Sequence, residues 1–336
     1  MKKVILSLII SLAFLHIQAQ SVLIYTNDGH CELVKAAALD ALYPVAGNYS
    51  DMYAQFLDGR TIALDYNTLD SIVVTNRTMT VSTLDATNVA RTSATISGAV
   101  DWNIPATVGF LVSEDNNPTF ENSNIVPAEY GNVFSAMLEG LTMTTTYYYK
   151  AFAYLSGEYY YGSTKSFTTT GYAVGDLYPD AENPIGVVYQ VTSNGTHGKI
   201  VSLVNSSSMK WDSRNWLNMT STGGTSITDG AYNFSLMSYT YHPVKTWIVD
   251  NLGAGWYCPA KGELVTIANN IQTVNNTLTS NGYQALECFH YWSSTEYSLE
   301  NAYIVCVGGA MGYPSGWSAY VDKEGNSYPV LGVKQF

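Results

Sequence analysis

The stretch that decides the fold lies in the last third of the chain: residues 255–264 read GWYCPAKGEL, residues 291–309 read YWSSTEYSLENAYIVCVGG, and residues 327–336 read SYPVLGVKQF. PAKGELVTIANNIQ predicts a helix. Pro259 suits a first turn, and Leu264, Ile267, Ala268 and Ile271 fall on one face. Upstream, HPVKTWIVDNLG repeats the pattern, with Pro243 in the first turn, Val244, Trp247, Ile248 and Leu252 as the apolar stripe, and Gly253 as the stop. Short β-prone runs follow at residues 291–294, 302–307 and 318–321. Two helices flanked by hairpins predict an α+β domain over residues 171–336.

That domain opens on YAVGDLYPDAENPIGVVYQV, from Tyr172, and HGKIVSL, from His197. Together with the three closing blocks, these segments resemble a bacterial secreted-domain family with a C-type-lectin-like fold. The family is known from the C-terminal adhesion domain of a collagen-like surface protein. The resemblance implies a fold and a compartment but no reaction. Formylglycine-generating enzymes share the broad fold, yet their reactive cysteine arrangement has no counterpart here, and fold alone does not carry activity.

Ahead of it, residues 77–170 predict one β-sandwich. SATISGAV (from Ser93), TVGFLVS (from Thr107) and VFSAMLEGL (from Val133) alternate with period two. LTMTTTYYYKAFAY, from Leu141, resembles the fibronectin type III signature Leu-x-Pro-x-Thr-x-Tyr. Met143 stands at the Pro position, Thr145 at the Thr and Tyr147 at the Tyr; the family's early-strand Trp has no counterpart. The resemblance implies that Tyr147 is the corner tyrosine, its hydroxyl bonded to upstream backbone. Such sandwiches are mostly spacers.

Residues 20–76 hold a repeat with a 30-residue offset. VLIYTNDGHCELVKAAALDAL, from Val22, aligns with MYAQFLDGRTIALDYNTLDSI, from Met52. Asp28-Gly29 and Asp58-Gly59 each sit between β-prone runs, a strong hairpin signal because glycine accepts positive φ. Leu39-Asp40 and Leu69-Asp70 predict short turns closing each unit. Turn-forming aspartate is commoner than a liganding one, so Asp28 and Asp58 are read as turn residues.

The N-terminus sets the compartment. Lys2 and Lys3 precede an apolar run of about a dozen residues, too short to span a membrane, and Ala19 offers a cleavage point, so residues 1–19 predict a secretory leader. No later segment is long and apolar enough to span a membrane. Removing the leader leaves 13 basic residues against 27 acidic, a net charge of −14, which repels phosphate backbones and disfavours nucleic acid. The fold class is therefore multidomain: an all-β hairpin module, a fibronectin type III-like sandwich and an α+β C-type-lectin-like domain.

No GxSxG, HExxH, P-loop or GxGxxG occurs, and no catalytic residue is assigned. Export permits disulfides among Cys31, Cys258, Cys288 and Cys306, but none forms CxxC or stands at metal-site spacing with His, so no metal or cofactor is expected. A Cys–His pair of His290 with Cys288 or Cys306 lacks the electropositive setting that activates a thiolate, given Glu287, Glu296 and Glu300 nearby. A hairpin centred on Tyr297 would oppose Cys288 and Cys306, leaving either a bridge or two buried thiols, while Cys258 should be buried and unpaired. The run GDLYPDAENP, with Asp176, Asp180, Glu182 and Asn183, has calcium-type oxygens but no EF-hand spacing and reads as a turn. The candidate ligand site is aromatic: Trp292, Tyr313 and Trp317, with Tyr291, Tyr297 and Tyr320, plus Glu296 and Asn301 as orienting groups. The Gly-rich loop from Gly308 is its expected contact. These features predict an exported, non-catalytic binding or adhesion protein with a glycan or protein ligand. A structural subunit of a surface assembly and an exported enzyme of unfamiliar type are the alternatives.

Overall fold

A computed structural model describes residues 21–28, 31–35, 39–44, 51–56, 59, 61–65, 69–75, 79–101, 106–155, 157–287, 289–309 and 312–336. The expected leader, residues 1–19, lies outside them. By internal packing the chain divides into two compact units, Met1–Thr169 and Thr170–Phe336. Among the described residues no helix is long and apolar enough to cross a membrane.

The repeat folds as two three-stranded sheets. β1 (Ser21–Thr26) pairs with β2 (Cys31–Lys35), and, after β3 (Leu39–Pro44), β4 (Asp51–Phe56) pairs with β5 (Thr61–Asp65). Both pairs are the hairpins that the Asp-Gly signals predict. The Leu-Asp segments, expected as turns, instead open strands β3 and β6 (Leu69–Thr75). Each is exchanged: β6 pairs with β1 (Val22↔Val74), and β3 pairs with β4 (Pro44↔Met52), images of one another under the 30-residue offset. A two-stranded hairpin is marginal in water, so each repeat gains its third strand from the other.

The sandwich sets β7 (Val81–Thr83), β8 (Ala94–Val100) and β11 (Val133–Leu138) in one sheet, ordered β11-β8-β7. The other holds β9 (Thr107–Ser113), β10 (Asn124–Ala128), β12 (Thr146–Leu155), β13 (Glu158–Tyr161) and β14 (Lys165–Thr168). β8 alternates buried and half-buried side chains along its whole length, as its sequence predicts. Ile96, Phe110, Phe134, Tyr149 and Phe167 fill the core. The Thr142 N–H donates to Tyr147 Oη at 3.0 Å, five residues upstream, and Tyr147 is buried. This is the tyrosine corner the signature implies.

The second unit opens with β15 (Leu177–Tyr178), β16 (Gly186–Thr192) and β17 (His197–Asn205). A stretch without regular structure leads to α1 (Gly230–Leu236), α2 (Pro243–Leu252), α3 (Lys261–Asn269) and α4 (Ile271–Ser280). β18 (Phe289–Glu296), β19 (Asn301–Val307), β20 (Ser318–Asp322) and β21 (Leu331–Gln335) complete it. The sheets are ordered β15-β16-β17-β21 and β18-β19-β20, and Tyr189, Trp211, Ile248, Leu264, Trp292 and Val333 meet in one core. Pro243 opens α2 and Gly253, at φ 82°, ends it, as expected. α1 and α4 were not expected. The segment read as one helix past Ile271 breaks at Asn270, whose Nδ2 donates to the carbonyl of Tyr189 at 3.0 Å. In GDLYPDAENP, Asp180 Oδ1 accepts the N–H groups of Glu182 and Asn183 at 2.9 and 2.8 Å, the turn that the sequence favours over a calcium loop.

Candidate aromatic binding face

GWYCPAKGEL is a buried anchor for the site. Glu263, at the third position of α3, reaches back to the Ala260 N–H at 2.8 Å; Ala260 has no side-chain acceptor, so only this half of a capping box forms. The same carboxylate accepts Gly230 N–H at 3.2 Å, Tyr257 Oη–H at 2.9 Å and Lys199 Nζ at 2.5 Å. It thereby joins α1, α3 and β17. Position 230 must be glycine, since a Cβ there would strike Glu263 Oε2 and the Ala260 nitrogen. Cys258, beside this knot, is buried and free, as expected, and burial drives its thiol pKa well up.

The expected aromatic cluster separates into three parts. Trp292 and Tyr291 are 0% exposed. Trp292 Nε1 donates to the Met209 carbonyl at 2.8 Å, and Tyr291 Oη accepts from Asn205 Nδ2 at 3.3 Å, so both are core residues. The second part is a face of β19 and β20. Tyr303 pairs with Tyr320 and Asn301 with Asp322, and the two-residue period puts all four on one side. Tyr297 and Tyr320 stack at 3.8 Å and 9°, with exposures of 50% and 51%. Tyr303 meets both edge-on, and Lys261 Nζ lies 4.4 Å from its ring centroid. Asn301 closes the β18–β19 turn, its carbonyl accepting Tyr297 N–H at 3.0 Å and Ser298 N–H at 3.1 Å. The third part lies on the other face of β19, where Tyr313 and Trp317 stack at 4.0 Å and 24° and each meets the His290 ring edge-on.

Glu296, expected as an orienting group, is turned inward. Its side chain is 1% exposed and ion-paired to Lys323, equally buried. It also accepts Ser221 Oγ–H at 2.6 Å, Thr222 Oγ1–H at 3.1 Å and Gly223 N–H at 3.0 Å. Burial pushes its pKa up, but Lys323, Ser221 and the Gly223 amide outweigh burial and hold it below the ordinary carboxylate range. Lys323 donates further to the carbonyls of Ser298 and Leu299 and lies over the Trp211 ring. Burial lowers its pKa. Next to it, Asp212 holds Arg214 at 2.6 Å, and His242 Nε2 stands 3.6 Å from Asp212 Oδ2. Burial lowers the His242 pKa. Sequence reading missed Lys323, Asp212, Arg214 and His242; Glu263 carried a usable signal, a Glu at a helix's third position.

The register differs from that of a hairpin centred on Tyr297. β18 and β19 pair as Phe289↔Val307 and His290↔Cys306, two residues out from a hairpin centred on Tyr297. Cys306 is buried and free opposite His290, and Cys288 lies outside the described residues. The sheet irregularity between Trp292 and Glu296 sets this register. A cavity of about 750 Å³ lies in the sandwich, between the edge strands β10 and β11, and Asn122 and Asp115 on its wall hydrogen-bond to each other at 3.3 Å.

No family model matches the chain, and no curated protein is similar to it. Among solved structures it is similar to the sensor domain of the anti-sigma factor RsgI4 of Pseudobacteroides cellulosolvens, at 22% identity over 27% of this chain and 75% of that one, with a TM-score of 0.23. A fibronectin type III domain from the human KIAA0970 protein shows 14% identity over 34% of this chain and 85% of that one, with a TM-score of 0.22. BhCBM56 shows 14% identity over 26% and 98%, with a TM-score of 0.20. The β-sandwich described above stands on its own strand order and corner.

Proposed function

We propose that this chain is an exported, non-catalytic binding protein whose C-terminal, C-type-lectin-like unit takes an extracellular saccharide on the Tyr297–Tyr303–Tyr320 face. The stacked, half-exposed Tyr297–Tyr320 pair carries the reading. Pyranose rings dock on flat aromatic faces, while an adjacent amide and carboxylate fix orientation; Asn301 and Asp322 stand beside the pair on the same face. Glu296 and Trp292 have no part in it, because both are committed to the core. The hairpin module and sandwich act as spacers that present this unit. The test is an array of glycans and host proteins probed with the full chain and with Tyr320→Ala. Wild-type retention of a glycan class that the variant loses supports the reading. Retention of host proteins instead, or equal retention by both forms, contradicts it.

A further inference from the structure

His290 and Cys306 sit directly opposite each other on β18 and β19, so their side chains leave the same face of the sheet with Cβ atoms about 4.5–5.5 Å apart. Both are buried, at 7% and 0% exposure. His290 Nε2 has no hydrogen-bond partner, an arrangement that costs free energy and that buried polar atoms rarely show. Cys306 is a free thiol whose hydrogen-bond acceptor is the Tyr313 carbonyl, at a long 3.8 Å. Tyr313 and Trp317 meet the His290 ring edge-on, each at 5.6 Å, and stack on one another. An unpartnered imidazole nitrogen, a free sulfur and two aromatic rings therefore share one small region.

We propose that His290 and Cys306 form a two-donor site for a soft monovalent cation of the Cu(I) type beneath the Tyr313–Trp317 pair. Thiolate and imidazole favour such an ion over hard cations. Zinc would need four ligands, and among the described residues no group of three or more His, Cys, Asp or Glu side chains is placed to hold a metal. His290 Nε2, buried and without a partner, is the ring nitrogen left to ligate. Binding is ligand exchange without redox change: the Cys306 thiol releases its proton to solvent, one Cu–S and one Cu–N bond form, and the ion's carrier ligands leave. Tyr313 and Trp317 flank the site and shield it from water. Residue 306 and the Tyr303 side chain lie on opposite faces of β19, so this site and the saccharide face stand or fall separately.

The experiment is anaerobic titration of the full chain with Cu(I), supplied as its acetonitrile complex, against a chromogenic Cu(I) chelator. Wild type should withdraw one equivalent, Cys306→Ser and His290→Gln should lose it, and Cys258→Ser should retain it. X-ray absorption on loaded wild type should show one sulfur and one imidazole nitrogen, a readout that needs no variant to fold. Copper left wholly with the chelator, retention by Cys306→Ser, or a shell of two sulfurs would overturn the proposal.

Discussion

Lys323 enters the core because its ammonium finds three acceptors there: the Glu296 carboxylate and the carbonyls of Ser298 and Leu299. Replacing it with Met leaves Glu296 as an uncompensated buried charge, so Lys323→Met should cost about 3–5 kcal/mol, and the double variant with Glu296→Gln less. Denaturant unfolding followed by Trp fluorescence reads this unit, since six of the seven Trp follow residue 170. The same side chains predict a pH profile. The folded-state pKa of His242 is lowered by burial, so the unfolded chain binds more protons and stability is lost as pH falls below about 6.5. Glu296 and Asp212, whose ion pairs outweigh burial and depress their pKa values, add a second loss below the ordinary carboxylate range, about pH 4. His242→Gln should shrink the first step and leave the second; equal steps in both proteins would refute the assignment. At this scale the sequence was least legible. Ser293, Ser294, Thr295 and Glu296 are all polar, yet all four are buried, and Thr295 and Glu296 bond to the chain at residues 221–226. Only partners distant in sequence decide that.

Elements were more legible wherever a local rule set them. The two hairpins follow from Asp-Gly between β-prone runs, α2 from its Pro and Gly ends, and the corner of the sandwich from Leu-x-x-x-Thr-x-Tyr. Tyr147→Phe removes the acceptor of the Thr142 N–H and should destabilise the sandwich by about 1–3 kcal/mol, with the fold retained by circular dichroism. No measurable loss would mean that water replaces the hydroxyl. Register was not legible: counting outward from Tyr297 misplaced Cys306 by two residues, since an irregular ladder between Trp292 and Glu296 breaks any fixed sum. The third strands of the hairpin repeats were hidden for a related reason. Their partners lie in the other repeat, which no local pattern announces.

For the whole chain, the division into Met1–Thr169 and Thr170–Phe336 and the separate sheets of the first unit motivate a modular reading. Limited proteolysis should therefore cut near residues 76–78 and 170–172 before it enters either core. One protected fragment spanning both points would count against modularity. For the candidate site, the sequence showed an excess of aromatics but not which of them share a face. Aromatic density near the C-terminus pointed to the strands that carry the proposed face, while burial removed Trp292 and Glu296 and the strand period separated Tyr313 and Trp317 from Tyr297, Tyr303 and Tyr320. Whether this tyrosine face holds the ligand is read by calorimetric titration of an array-positive saccharide into the full chain. Tyr320→Ala should weaken binding by at least about tenfold, while Tyr159→Ala, an exposed sandwich tyrosine, should leave it unchanged. Equal affinity of Tyr320→Ala and wild type would place the ligand off this face.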